Sequence, residues 1–186
     1  MNISLRWLVV IAAFAAIASF GIAATHMALP PAAPVARYAR AWAPSDLDGF
    51  HRTELARKRY QQAEREAARV FHRNGVTDRF AGLVAECSLE YSIRPRVLAA
   101  LIVVESHGNP RAVSNTGDVG LAQIHIKTWH LRKDDMLVPE KNVPTGARIL
   151  ATYTKRYGLR EGLHAYNGMN GEDDAYADKV LNAMTR

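Results

Sequence analysis

The chain has 186 residues, enough for one compact domain with short additions and too few for two full domains. With 48% apolar residues and ordinary Gly and Pro contents, it is neither a disordered nor a fibrous sequence. The net charge of +6 is uneven: residues 37–79 carry an excess of four basic side chains, whereas residues 80–186 hold thirteen Arg/Lys against twelve Asp/Glu. Such a basic segment suits a solvated helix face, or an anionic surface such as phospholipid or cell-wall polymer. It contains no nucleic-acid-binding motif and no aromatic ladder, so nucleic acid is not an expected partner.

Met1–Arg6 is short and ends in a positive charge, and Trp7–Ala24 is almost wholly apolar. This is the layout of an exported chain. Residues 1–28 read either as a cleaved signal peptide, cut after Ala18 or Ala24, or as an uncleaved anchor, since residues 7–24 approach the ~20 needed to span a bilayer. Both readings send the remainder out of the cytoplasm, to the periplasm or beyond, with the inner membrane as partner if the segment is retained. Residues 29–76 form a tether and linker. Pro30, Pro31 and Pro34 make an extended start. Ser45 or Asp46 then caps a basic helix running to about Arg73, stopped by Asn74-Gly75. This helix is either a spacer or docked on the C-terminal domain.

From residue 77 to 186 the patterns tighten into one domain. Ala, Leu, Arg and Glu dominate, so the expected fold is all-α. Thr77-Asp78 starts a helix with Phe80, Leu83, Val84 and Cys87 on one face. Cys87 is the only cysteine; it cannot form an internal disulfide and reads as a small core residue. Pro95 opens the next helix, which Gly108 ends. Leu98, Leu101, Ile102 and Glu105 recur at i, i+3, i+4 and i+7, so Glu105 is a carboxylate on the apolar stripe, in the last turn. Burial and the negative end of the helix dipole both disfavour its charged form. A carboxyl held protonated near neutral pH is what general-acid catalysis needs. Periodicity alone leaves the alternative open, with Glu105 turned to solvent or paired with Arg111.

Residues 109–118 read as a loop rich in turn formers. Gly120-Leu121-Ala122-Gln123-Ile124 is expected to open a helix reaching about Leu131. Asn142 is expected to cap a helix closed by Gly158, whose small residues Gly146 and Ala147 admit a close neighbour. Leu159–Asn167 forms a short helix, and Asp173–Met184 the last. The sequence holds no His-Glu-x-x-His, so neither a metal nor any other cofactor is expected.

These pieces, in this order, resemble the catalytic domain of the soluble-type lytic transglycosylases, relatives of goose-type lysozyme. Glu105-Ser106-His107-Gly108-Asn109-Pro110-Arg111-Ala112-Val113-Ser114 resembles the family's signature around its catalytic Glu, and Gly117-Asp118-Val119-Gly120-Leu121-Ala122-Gln123-Ile124 its second block. Pro139–Val143 with Gly146–Leu150 resembles the third, and Ala165-Tyr166-Asn167 the fourth. Each block alone is a weak signal; four in order, across about Phe80–Val180, are a strong one. Two positions depart from the pattern: Ala122, where the family often has Met, and Lys127, near where it often has Pro.

The resemblance implies a lysozyme-like bundle with a glycan groove. Glu105 would be the catalytic residue, and Ser106, Ser114, Gln123, Tyr166 and Asn167 would bind substrate, with Ser106 fixing the loop after the helix and the Tyr166 hydroxyl holding either the Glu carboxyl or the sugar. The substrate would be peptidoglycan glycan strands, cut between N-acetylmuramic acid and N-acetylglucosamine with formation of 1,6-anhydro ends. The role would be wall remodelling, wall opening for a secretion or conjugation machine, or phage lysis. Two rival readings stay open. One is a lysozyme-type hydrolase using water, for which Asp118 is the near candidate for a second carboxylate. The other is an inactive wall-binding adaptor.

Overall fold

A computed structural model describes residues 47–168 and 175–185, with side chains from residue 53 onward. The N-terminal apolar segment, the Pro/Ala tether, the Ser45/Asp46 cap and the start of the last helix lie outside the described residues. Within them the fold is mainly helical, as the composition leads one to expect.

Helix α1 (Leu47–Arg73) has 27 residues and so extends about 40 Å. Its C-terminal half buries Ala63, Ala67, Val70 and Phe71, spaced i, i+4, i+7 and i+8, against the two helices that come after it. The basic helix is therefore docked rather than a free spacer. It ends in a Schellman-type turn in which Val76 N–H donates to Phe71 O at 2.9 Å and Gly75 takes a φ of +70°. The Asn74 side chain donates to Val70 O and, at 2.9 Å, to Ala183 O near the end of the chain.

A 3-10 turn (Asp78–Phe80) leads into α2 (Ala81–Glu90), which buries Val84, Ala85, Cys87 and Ser88. Burial pushes the Cys87 thiol up to about 12, the behaviour of a core residue rather than a nucleophile. Helix α3 (Pro95–Ser106) has Pro95 in its first turn, where the missing N–H costs nothing. Leu98, Leu101 and Ile102 are fully buried, and α3 packs against α1, α2 and the last helix. His107 ends it in the left-handed region at φ 51°, followed by Gly108 at φ 74°. A Cβ on Gly108 would come within 2.5 Å of Val76 Cγ1, so glycine is required there.

After α3 the chain makes a small antiparallel hairpin. Strand β1 (Asp118–Val119) pairs with β2 (Ile124–His125), in the register Asp118↔His125 and Val119↔Ile124. The expected helix from Gly120 to Leu131 does not form. Gly120 and Gln123 adopt φ of +80° and +44°, outside the helical region. The Ala122 N–H donates to the Asn142 side chain instead of to a preceding turn.

Helix α4 (Lys133–Met136) is a single turn. Helix α5 (Pro139–Tyr157) starts earlier than expected, with Val138 at its N-cap position and no side-chain cap. Asn142 is thus not a cap but a fully buried residue within the first turns. Its Nδ2 donates to Val119 O at 2.8 Å and Met136 O at 2.9 Å, and its Oδ1 accepts from Ala122 N at 2.7 Å. A short buried amide thus ties the hairpin to α5 with every partner matched. Helix α6 (Leu159–Tyr166) turns back along α5, where Gly162 allows close approach to Thr154. Helix α7 (Ala175–Thr185) buries Ala177, Val180 and Ala183 and lies against α3 and α6.

Candidate active site

The site gathers where the end of α3, the β1–β2 hairpin, α6 and α7 meet. Glu105 stands in the last turn of α3, one turn beyond the fully buried Ile102. It neither turns freely to solvent nor pairs with Arg111. Its Oε1 accepts a short hydrogen bond from the Tyr176 hydroxyl on α7. The carboxyl is pushed up to about 7, chiefly because burial penalises the charge; the Tyr176 hydrogen bond opposes the shift and the negative Asp118 adds to it. A carboxyl with these properties holds its proton near neutral pH and can give it up to a bound group.

A cavity of about 410 Å³ opens between the hairpin, α5 and α6, within the ~300–1,000 Å³ of ligand pockets. Its wall includes Thr116, Asp118, Gln123, Trp129, Tyr153, Tyr166 and Asn167. Glu105 is not itself a wall residue, but it lies within electrostatic reach of Asp118 and Tyr166, which are.

Ser106 closes the helix end. Its hydroxyl donates to Leu121 O at 2.8 Å, with Ile102 O 3.2 Å away as the alternative acceptor, fixing the hairpin turn against α3. It does not line the cleft, so its place is one of holding the loop. Ser114 sits at the hairpin's approach. Its hydroxyl donates to Asp118 Oδ2 at 2.7 Å and accepts from Asp118 N at 2.9 Å. Thr116 donates to the same Oδ2 at 2.6 Å, so two hydroxyls orient the Asp118 carboxylate. Ser114 therefore reaches the site through Asp118.

Gln123, in the left-handed region, donates from Nε2 to Gly120 O at 2.8 Å and Ala112 O at 3.2 Å, which closes the loop on itself. Tyr166, at the end of α6, donates its hydroxyl to Ala122 O at 2.8 Å. It thus holds the hairpin backbone, not the Glu105 carboxyl; Tyr176 does that. Burial and the nearby Glu105 and Asp118 charges push the Tyr166 phenol well above its ordinary value, which keeps it a hydroxyl donor at all working pH. Gly146 on α5 is the small residue that admits this arrangement: a Cβ there would sit 2.6 Å from Ala122 Cβ and 3.0 Å from the Tyr166 hydroxyl.

Of the residues singled out from the sequence, Gln123, Tyr166 and Asn167 line the cleft, while Ser106 and Ser114 support it from behind. Sequence reasoning misses two participants. Tyr176 lies 71 residues after its carboxyl partner, on a helix whose sequence looks like any amphipathic segment. Asn142 reads as a cap because an Asn near a helix start usually is one.

Fold and site together define a helical domain that carries a protonatable buried carboxyl within electrostatic reach of two residues, Asp118 and Tyr166, that line a cleft. The chain matches the model described as "Transglycosylase SLT domain" over residues 82–183, more than half its length, and it belongs to that family. Among proteins of known name, a "Transglycosylase" of Enterobacteria phage PRD1 is 34% identical over 87 residues, 46% of this chain and 33% of that protein. An "Endo-type membrane-bound lytic murein transglycosylase A" of Cronobacter sakazakii is 31% identical over 87 residues, 40% of this chain and 42% of its own length. A protein of the same name from Citrobacter koseri is 32% identical over 73 residues, 33% of this chain and 36% of that one. The chain thus spans less than half the length of each of these relatives.

Proposed function

We propose that the chain is a peptidoglycan lytic transglycosylase that cleaves the β-1,4 bond between N-acetylmuramic acid and N-acetylglucosamine and leaves 1,6-anhydro-muramic acid ends. The observation that carries this is Glu105, a buried carboxyl hydrogen-bonded to Tyr176, raised to a pKa of about 7 and within electrostatic reach of the cleft residue Asp118. In its protonated form Glu105 donates to the glycosidic oxygen as the bond from C1 to that oxygen breaks. The resulting carboxylate then accepts the proton of the muramic acid C6 hydroxyl, whose oxygen bonds to C1. The proton balance closes and one carboxyl suffices, because the substrate supplies the nucleophile. Tyr176, donating to Oε1, leaves the other oxygen for the transferred proton and stabilises the carboxylate between the two steps. The names of the relatives from phage PRD1, Cronobacter and Citrobacter support the transglycosylase activity, and those from Cronobacter and Citrobacter the murein substrate.

A second reading has one observation in its favour. Asp118 lines the cleft with its carboxylate oriented by Ser114 and Thr116, and could serve a water-using hydrolase as the second carboxyl. Mass spectrometry of digested peptidoglycan separates the two. Anhydro-muropeptides support the transglycosylase; reducing muramic acid ends support the hydrolase. A chain that binds wall and releases no fragments is neither, and acts as an adaptor. The role we assign is cutting wall outside the cytoplasm: remodelling, opening a path for a secretion or conjugation machine, or phage lysis. The relatives named membrane-bound, and the one from a phage, support a site of action at the wall. Among the described residues no helix is long and apolar enough to cross a membrane.

A further inference from the structure

The cavity wall contains aromatic rings that the proposed chemistry does not use. Trp129 and Tyr153 both line it, and neither has a part in the proton transfers assigned to Glu105. Trp129 is the sole tryptophan among the described residues and is half-buried. It stands on a closed turn: Trp129 N–H donates to His125 O at 3.3 Å, Leu131 N–H donates to Ile126 O at 2.9 Å, and the His125 ring pairs with the Thr128 hydroxyl at 2.6 Å. Tyr153 stands on α5, backed by the Tyr157 ring at 6.5 Å with an interplanar angle of 26°. Both rings are therefore mounted on fixed backbone.

An N-acetylhexosamine ring has an apolar C–H face and a hydroxyl-bearing edge. An aromatic ring offers its electron-rich face to the first, while polar side chains take the second. The same wall supplies such polar groups in Thr116, Gln123 and Asn167. We propose that Trp129, with Tyr153, is a sugar platform that holds an N-acetylhexosamine unit of the strand beyond the bond being cut, and so makes the chain prefer strands of several sugars. This inference rests on the glycan-cutting reading and names a specificity-determining residue within it.

The test uses the full chain carrying Glu105→Gln and the β-1,4-linked N-acetylglucosamine tetramer as probe. Tetramer addition should change tryptophan emission, and Trp129→Phe should abolish that change while keeping affinity within about 2-fold, since a ring remains. Trp129→Ala should weaken tetramer binding roughly 3- to 10-fold, the value of a lost aromatic contact. With Glu105 intact, Trp129→Ala should raise KM for solubilised glycan strands by the same factor, with kcat little changed. Tetramer binding without an emission change, or an Ala variant with unaltered affinity and KM, overturns the platform. If Trp129→Ala does not fold, the Phe variant and the emission change still decide. A wild type that releases no wall fragments sinks the enzymatic reading alone, because the binding arms still report on the platform.

Discussion

Replacing Glu105 with Gln keeps the shape of the side chain and an acceptor for the Tyr176 hydroxyl, and removes the titrating group. The carboxyl is raised from 4.5 to about 7 in the folded chain. Between those values the folded state binds more protons than the unfolded state, so stability falls as pH rises through that window, and above it the loss is complete. At about 1.4 kcal/mol per pKa unit, the loss reaches about 3 kcal/mol. The Gln variant does not suffer it. The stability difference between Glu105→Gln and wild type should therefore grow by about 3 kcal/mol from acid to mildly alkaline pH, roughly 6–12 °C in melting temperature for a chain of this size. Thermal unfolding of both proteins across that range measures it. Over the same series the Gln variant should lose wall digestion by roughly 10²–10⁴-fold, the value of a positioned general acid. A stability difference that stays flat with pH would refute the buried, protonated carboxyl, whatever happened to activity.

Tyr176→Phe removes the hydrogen bond that holds the Glu105 pKa down, so the alkaline limb of kcat/KM should move to higher pH; a limb that stays in place means the Tyr176 contact does not tune the acid. Asp118→Asn removes a negative charge that holds it up, so the limb should move the other way, and a total loss of wall cleavage in this variant would favour the hydrolase. Asn142→Ala leaves the Ala122 N–H and the Val119 and Met136 carbonyls buried without their partner. It should cost about 3 kcal/mol or more in urea unfolding, and a loss below about 1 kcal/mol would show that water replaces the amide.

Much of this molecule is legible in its sequence because local rules write it. Apolar spacing, Pro95 at a helix start, and Gly75, Gly108 and Gly158 at helix ends locate most helices within a few residues. The same spacing puts Glu105 on an apolar face, which marks it as out of place before any fold is known. Periodicity cannot say whether that carboxyl is buried, solvated or paired with Arg111. That depends on α7, which brings Tyr176 across 71 residues of chain to its Oε1. The hairpin segment, which reads as a helix, has the same cause. Residues 120–131 look helical one turn at a time, but Gly120 and Gln123 take positive φ, Val119 and Ile124 pair across a hairpin, and the Asn142 amide, twenty residues on from Ala122, holds that turn in place. Local pattern determined where most of the helices run and which residue carries the misplaced carboxyl. Only the tertiary structure decided its protonation and its partner, because burial and long-range hydrogen bonds are properties of contacts between segments.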